Sequence, residues 1–264
     1  KIGKNSKKNI FIKFLQFIED FAYKNSDYII SNLKGLQKHI NTRINKKKKF
    51  TWIPNGFWLK ENVHSIEVKK KILSSINSQK FSITYTGTIG EANSLETLLE
   101  AMVIIKKKNH VHLNIFGKGK LLNPLKNSVK KLDLRNVHFW GEIKKNQIQS
   151  VLKNSNACIL CWKKSDLYKY GVAANKLYDY LSSGTPVIQS YSGSYDIIKN
   201  FKAGITVPAE NSLLLSKAIL NLCNMSKKQR RNMGKRGNQA AKKYFEYSEI
   251  SKVLDKLIRY KLKP

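Results

Sequence analysis

The chain has 264 residues, 41% of them hydrophobic, enough for one large domain or two unequal ones with a full core. No run approaches the roughly 18 apolar residues that a membrane-spanning helix needs, and the start, Lys1-Ile-Gly-Lys-Asn5, has neither an initiator Met nor a charged-then-apolar leader, so it reads as a cut end and not as a signal peptide. The formal charge of +33 points first to nucleic acid, but only six of the 50 basic residues are Arg, the type suited to bidentate phosphate and base contacts, and the Lys are spread along the whole chain, which disfavours that partner.

In chain order, residues 10–24 carry apolar side chains at 11, 14, 15, 18, 21 and 22, the stripe of an amphipathic helix. Asp27-Tyr-Ile-Ile30 predicts a short strand and residues 33–41 a second helix. The run 46–49 is solvated charge, and Phe50-Thr-Trp-Ile53 is a second strand closed by the turn signal Pro54-Asn-Gly56. A change of composition then places a domain boundary near residue 60. Beyond it, strands are predicted at 81–86, 111–116, 137–140, 157–161, 187–189 and 204–207, with helices between them at 95–107, 122–132, 146–153, 176–181 and 194–200. Three helices follow, at 211–223, 226–243 and 248–262. Short strands alternating with such helices predict an α/β fold, a Rossmann-like doubly wound parallel sheet that binds ligands at the carboxyl ends of its strands.

Cys158, Cys161 and Cys223 exclude a disulfide framework and point to a reducing compartment. Cys158-Ile-Leu-Cys161 has the spacing of half a metal site, but no second pair completes it. It lies in a strand-like run where Cys acts as a small buried hydrophobe.

Three segments sit where a strand ends and a helix begins, the place where first-turn N–H groups and the helix dipole favour anions. Tyr85-Thr-Gly87-Thr88-Ile-Gly90 and Phe116-Gly117-Lys118-Gly119-Lys120 are strand-to-glycine turns, each also explained by turning alone; neither is a Walker loop. The third runs Tyr170-Gly171-Val-Ala-Ala-Asn175-Lys176-Leu-Tyr-Asp179-Tyr-Leu-Ser-Ser-Gly184-Thr-Pro186. Asn175 is a good N-cap, which puts Lys176 in the first helical turn, where a cation opposes the dipole unless an anionic ligand offsets it. Asp179 lies one turn on, on the same face as Asn175. Together they suit a phosphate (Lys176) and ribose hydroxyls (Asp179); a capped surface helix with an exposed Lys and Asp is the alternative.

The stretch 175–188 is similar to the signature of glycosyltransferase family 4, the glycosyl transferases group 1 enzymes, in which an Asn-Lys-Leu-[Phe/Tyr]-[Glu/Asp]-Tyr helix ends in small-small-Gly-x-Pro-Val. Trp52-Ile-Pro-Asn-Gly56 resembles the family's interdomain Ile-Pro-Asn-Gly. Tyr85-Thr-Gly-Thr-Ile-Gly90 with Leu95-Glu-Thr-Leu-Leu-Glu-Ala101 resembles the first strand and helix of its C-terminal domain, and Asn136-Val-His-Phe-Trp-Gly141 a later strand. The resemblance spans roughly residues 10–262. It implies a GT-B fold in which residues 1–60 are a truncated remnant of an N-terminal α/β acceptor domain. Residues 61–243 are then the nucleotide-sugar-binding domain and 244–264 a crossover helix.

The resemblance also implies donor contacts at Gly87, Thr88, Gly90, Gly117, Lys118, Gly119, Asn175, Lys176 and Asp179, with no metal or other cofactor. Its activity is retaining transfer of a sugar from a nucleoside-diphosphate sugar to a glycan or lipid-linked acceptor in cell-surface polysaccharide or glycoconjugate synthesis. The expected place is the cytoplasm, peripheral on the anionic inner face of the membrane, where each basic residue contributes about 1 kcal/mol. Two departures stand out. Of the family's two Glu eight residues apart, the second is Asp179 and the first falls on Gly171. Gly90-Glu-Ala-Asn93 is not basic where many members hold the diphosphate, which leaves Lys176, with Lys118 or Lys120 behind it. None of His39, His64, His110, His112 and His138 matches the family's acceptor-side His. The other readings are a GT-B-like sugar-nucleotide epimerase and a basic nucleic-acid-binding α/β domain. The final helix carries an apolar stripe at 250, 253, 254, 257 and 258, expected to pack on residues 10–24 or to stay exposed.

Overall fold

The computed structural model describes residues 10–59, 68–107 and 110–261. The expected boundary near residue 60 and His64 lie outside them. The first elements are α1 (Ile10–Asn25), β1 (Tyr28–Ser31), α2 (Leu36–Ile44) and β2 (Lys49–Trp52). β1 and β2 pair in parallel, Tyr28 opposite Lys49. α2 starts later than its apolar pattern predicts, because Gly35 N–H is drawn to the Tyr170 carbonyl at 3.0 Å.

The next described helix is α3 (Lys70–Ser78), which the sequence pattern did not predict. Next are β3 (Phe81–Thr86), α4 (Leu95–Ile104), β4 (Val111–Phe116), α5 (Leu122–Lys131), β5 (Val137–Gly141), α6 (Lys145–Lys153) and β6 (Ala157–Cys161). The chain continues through α7 (Asn175–Ser183), β7 (Val187–Ser190), α8 (Ile197–Asn200) and β8 (Gly204–Val207) to α9 (Ser212–Asn224), α10 (Lys227–Tyr244) and α11 (Tyr247–Lys261). α8 is shorter than the pattern suggests, since Asp196 caps it by accepting from Lys199 N–H at 3.0 Å.

Six strands form one parallel sheet in the order β5-β4-β3-β6-β7-β8. The sheet grows outward from β3 in one direction and from β6 in the other. The connections leaving these two neighbours therefore diverge, and a crevice opens at their carboxyl ends. Burial on both faces explains the continuous apolar runs. On one face Leu95, Leu98 and Met102 of α4 and Leu215, Ile219 and Leu222 of α9 cover Ile83, Ile115 and Ile159. On the other, Val151, Leu177, Leu181, Ile198 and Ala241 cover Cys158, Leu160 and Val187. Each large apolar side chain buried this way contributes about 1.5–3 kcal/mol. Cys158 and Cys161 belong to opposite layers, so they cannot share a ligand, and burial raises both thiol pKa values, that of Cys161 to about 12.

The small first unit is fastened to the large sheet. Tyr170 hydroxyl meets His39 Nδ1 at 2.8 Å, and Asn55 Nδ2 donates to Ala173 O at 2.7 Å. Phe57 forms a parallel bridge with Glu246, with Phe57 N–H on Phe245 O at 3.0 Å and Tyr247 N–H on Phe57 O at 3.1 Å. That bridge seats the start of α11 beside Phe57, and of the two outcomes expected for its stripe, packing on residues 10–24 or exposure, exposure holds for three of the five positions. Ile250 and Leu257 are buried, Val253, Leu254 and Ile258 are exposed, and Phe11, Phe14, Phe17 and Phe21 of α1 are exposed as well. Among the described residues no helix is long and apolar enough to cross a membrane.

Candidate functional site

α7 enters the crevice with its N-terminus. Leu177, Tyr178, Tyr180 and Leu181 are buried in the layer beneath it. The Tyr180 hydroxyl ties the helix to the end of β3, accepting from Thr86 N–H at 2.7 Å and donating to Thr86 O at 3.2 Å. The N-cap is Ala174, not Asn175, and no side chain caps the helix. Asn175 is the first helical residue, and its Oδ1 accepts from Asn55 Nδ2 at 3.0 Å. The side chain that the sequence assigns to capping is thus drawn to Asn55, so the Asn175 and Lys176 N–H groups have no side-chain cap, and the turn holds no acidic residue.

Lys176 is in the first turn, as predicted, and reaches back across the crevice. Its Nζ donates to the Tyr85 hydroxyl at 3.0 Å and to Asn93 Oδ1, and lies 4.7 Å from the Tyr85 ring centroid and 5.6 Å from that of Trp162. Tyr85 OH and Asn93 Nδ2 both donate onward to the Thr88 carbonyl, at 2.7 and 2.8 Å. The ammonium therefore closes a ring of neutral groups, and no carboxylate pairs with it among the described residues. Burial lowers its pKa to about 8, against a small upward pull from Cys161. A cation desolvated without a counter-charge is costly, and an anion placed beside it offsets that cost.

The two glycine turns lie side by side. Gly87 N–H donates to Phe116 O at 2.9 Å and Ile89 N–H to Lys118 O at 2.8 Å. Three of their four glycines have positive φ, 136° at Gly87, 146° at Gly117 and 154° at Gly119. A Cβ on Gly117 would sit 1.9 Å from Gly87 O, and one on Gly119 2.2 Å from Ile89 O, so these two are Gly because loop meets loop. Gly87 is different: its missing Cβ would lie 3.2 Å from Lys176 Nζ. Gly90 leads into a short 3₁₀ turn, Glu91–Asn93, and a Cβ there would meet only the Thr88 methyl at 3.7 Å. Beside the turns a cavity of about 210 Å³ is lined by Thr86, Gly87, Thr88, Phe116, Gly117, Lys118, Glu142, Ile143 and Ile148.

The remaining candidates divide. Lys118 pairs with Glu142 at 2.9 Å and Lys120 with Glu91 at 3.5 Å, so neither brings an uncompensated charge. Asp179 is half-buried one turn below Lys176, its carbonyl accepting from Gln149 Nε2 at 3.0 Å. His112 and His138 form a stacked pair on β4 and β5 with ring nitrogens 3.2 Å apart, and His39 serves the contact between the two units. Sequence reasoning missed Tyr85, Asn93 and Trp162 as the cage of Lys176, and Asn55 as the partner of Asn175. The one available signal was a Lys in a first helical turn, which requires partners from elsewhere.

A sequence profile of the family described as glycosyl transferases group 1 matches residues 65–240. No curated protein sequence matches the chain. Among solved structures the chain resembles a sucrose-phosphate synthase from Thermosynechococcus elongatus, at 19% identity and a TM-score of 0.74, over 98% of this chain and 63% of that one. It resembles Anabaena HepE, solved in complex with UDP and glucose, at 13% identity and a TM-score of 0.73, over 94% and 67% of the two chains. A third likeness is to WaaG, a glycosyltransferase involved in lipopolysaccharide biosynthesis, at 13% identity and a TM-score of 0.72, over 96% and 69%. The chain thus spans between 63% and 69% of the length of these three, and they share its fold.

Proposed function

The chain belongs to the glycosyl transferases group 1 family and has a GT-B-type α/β fold, and from that premise we propose that its crevice binds a nucleoside-diphosphate sugar for retaining transfer to a glycan or lipid-linked acceptor in cell-surface polysaccharide or glycoconjugate synthesis. The observation that carries the proposal is Lys176, a desolvated cation with only neutral partners at the mouth of a helix N-terminus. Two solved neighbours, HepE and a pneumococcal O-GlcNAc transferase, were solved in complex with UDP, which supports a nucleotide-sugar donor. In the proposed pose the base and ribose use the cavity beside Gly87 and Gly117, and the diphosphate crosses Gly87 to Lys176. The departing diphosphate is stabilised there by the ammonium and the α7 dipole, without a metal, in a form of electrostatic catalysis. Asp179 accepts from a ribose hydroxyl.

Residues 1–60 belong in this proposal to the acceptor-side domain, 61–243 to the donor side and 244–264 to the crossover helix. The place is the cytoplasm, peripheral on the anionic inner face of the membrane. Transfer needs the acceptor hydroxyl held about 3–3.5 Å from the anomeric carbon. The acceptor wall is represented among the described residues by the β1–β2 unit alone, so the chain by itself holds the donor without transferring the sugar.

Calorimetry with UDP, GDP and ADP tests the site. Lys176→Ala and Asp179→Ala each weaken nucleotide binding by about 1–3 kcal/mol, the scale of a charged hydrogen bond, and EDTA leaves affinity unchanged. Unchanged affinity in both variants removes the site assignment. A requirement for Mg²⁺ removes the metal-free stabilisation, and sugar transfer by the purified chain shows that the acceptor wall is sufficient as it stands.

A further inference from the structure

At the opposite, amino edge of the sheet lies a second cleft, of about 460 Å³, between the end of α6, the turn after α7 and the start of α10. Lys153, Lys227, Arg230 and Arg231 line it, and no carboxylate does. Cations are common on this chain, so what separates these four is their state of pairing. Arg43, Arg135 and Arg259 each bond a carboxylate, and Arg236 donates to the Lys202 carbonyl. Among the described residues Arg231 has no such partner, and neither Lys153 nor Lys227 has an ion pair.

Arg230 is fixed in place instead. Its Nη1 donates to the carbonyls of Leu222, at 3.3 Å, Cys223, at 3.2 Å, and Met225, while the guanidinium lies 5.3 Å from the Phe81 ring centroid. Those contacts involve neutral groups, and among the described residues Nε and Nη2 have no partner. The neighbouring polar side chains are engaged within the fold. Thr185 Oγ1 donates to Leu152 O at 2.8 Å, Asn154 Nδ2 to Ser150 O at 2.8 Å, and Asn156 Oδ1 accepts from Ser82 N–H at 2.7 Å.

We propose that this cleft is a second anion site, separate from the nucleotide crevice, which takes a phosphate-bearing ligand through Lys153, Lys227, Arg230 and Arg231. A planar guanidinium fork held rigid beside a second, free one matches the geometry of phosphate oxygens, and two flanking ammonium groups supply charge for a dianion. The ligand is a phosphomonoester or diphosphate group, either free in solution or carried on a lipid headgroup. The proposal does not depend on the assignment of the crevice.

The test uses the full chain with Lys176→Ala, so that the crevice contributes less. Inorganic pyrophosphate is titrated by calorimetry at physiological salt, and sedimentation is measured with phosphatidylcholine vesicles with and without phosphatidic acid. The triple variant Lys153→Ala, Lys227→Ala, Arg231→Ala is compared with a control, Lys46→Ala, Lys47→Ala, Lys49→Ala, which removes the same charge from the basic run that ends at the first residue of β2. Arg230 is left alone because its carbonyl contacts hold the end of α9, and melting curves verify that both variants fold. The cleft variant loses about tenfold or more in affinity, as expected when charged phosphate contacts go, and the control changes by less than about twofold. Loss for pyrophosphate identifies a soluble ligand, and loss for the acidic vesicles alone identifies a headgroup. Equal losses in the two triple variants, or none in either, overturn the proposal, because bulk charge then accounts for all the binding.

Discussion

A single lysine shows how much a desolvated charge can say about a site. Lys176 has a folded-state pKa of about 8, below the ordinary 10.5, because burial disfavours its charged form. Between those two values the unfolded chain binds more protons than the folded one, so this group makes the unliganded fold more stable as pH rises. Nucleotide binding runs the other way, since it uses the charged form and weakens as pH rises through about 8. Lys176→Met, which keeps the stem and removes the charge, should raise the melting temperature of the free protein at neutral pH by an amount equivalent to about 1–3 kcal/mol. That gain should shrink toward pH 10. A gain that stays constant across this range would mean that the ammonium is not desolvated in the folded state. Calorimetry at a series of pH values checks the opposite trend in affinity.

Among the elements, α10 reads from sequence as a poor helix, since each interior Gly costs about 1 kcal/mol against Ala. The structure explains both of its glycines. A Cβ on Gly234 would lie 1.8 Å from Gly184 O, and one on Gly237 3.1 Å from Leu181 Cδ2 and Ala203 Cβ, so α10 lies directly against the end of α7. Gly234→Ala should therefore destabilise the fold by about 2–4 kcal/mol in spite of its better helix propensity, the range of a clash with packed backbone. Gly237→Ala, which meets only side chains, should cost less. Equal urea midpoints for Gly234→Ala and the wild type would rule out this close approach.

The same scale shows what was legible in the chain. The strands of the large sheet could be read directly, because Ile83, Ile115 and Ile159 lie in runs that must be apolar on both faces. α3 was missed because its apolar residues, Ile72, Leu73 and Ile76, span little more than one turn. The cap at Asn175 was misread because a cap preference assumes a local partner, whereas Asn55 comes from 120 residues away. The cage of Lys176 was not legible at all, since Tyr85, Asn93 and Trp162 come from three separate segments that meet only after folding.

For the whole molecule, the charge of +33 and the bipartite fold have separate consequences. The charge is carried mostly by exposed Lys, so it governs what the surface attracts and leaves the core untouched. The fold is governed by the bridge between Phe57 and Glu246, where the chain enters the large sheet and where it leaves. Because entry and exit are hydrogen-bonded neighbours, this part of the protein has the connectivity of a ring with one gap. Joining two ends that already touch adds little loop-closure entropy, and such rings tolerate new openings at exposed turns. A circular permutant that links residue 246 to residue 57 through a short glycine linker and opens the exposed turn at Leu132–Asp133 should fold with the same sheet, as read by circular dichroism. It should bind nucleotide more weakly than the full chain, because it lacks Asn55, whose side chain holds Ala173 O and Asn175 Oδ1 at the start of α7. In engineering terms the donor half is a cassette: it can be spliced into another chain at one point, with both attachments made on the same side.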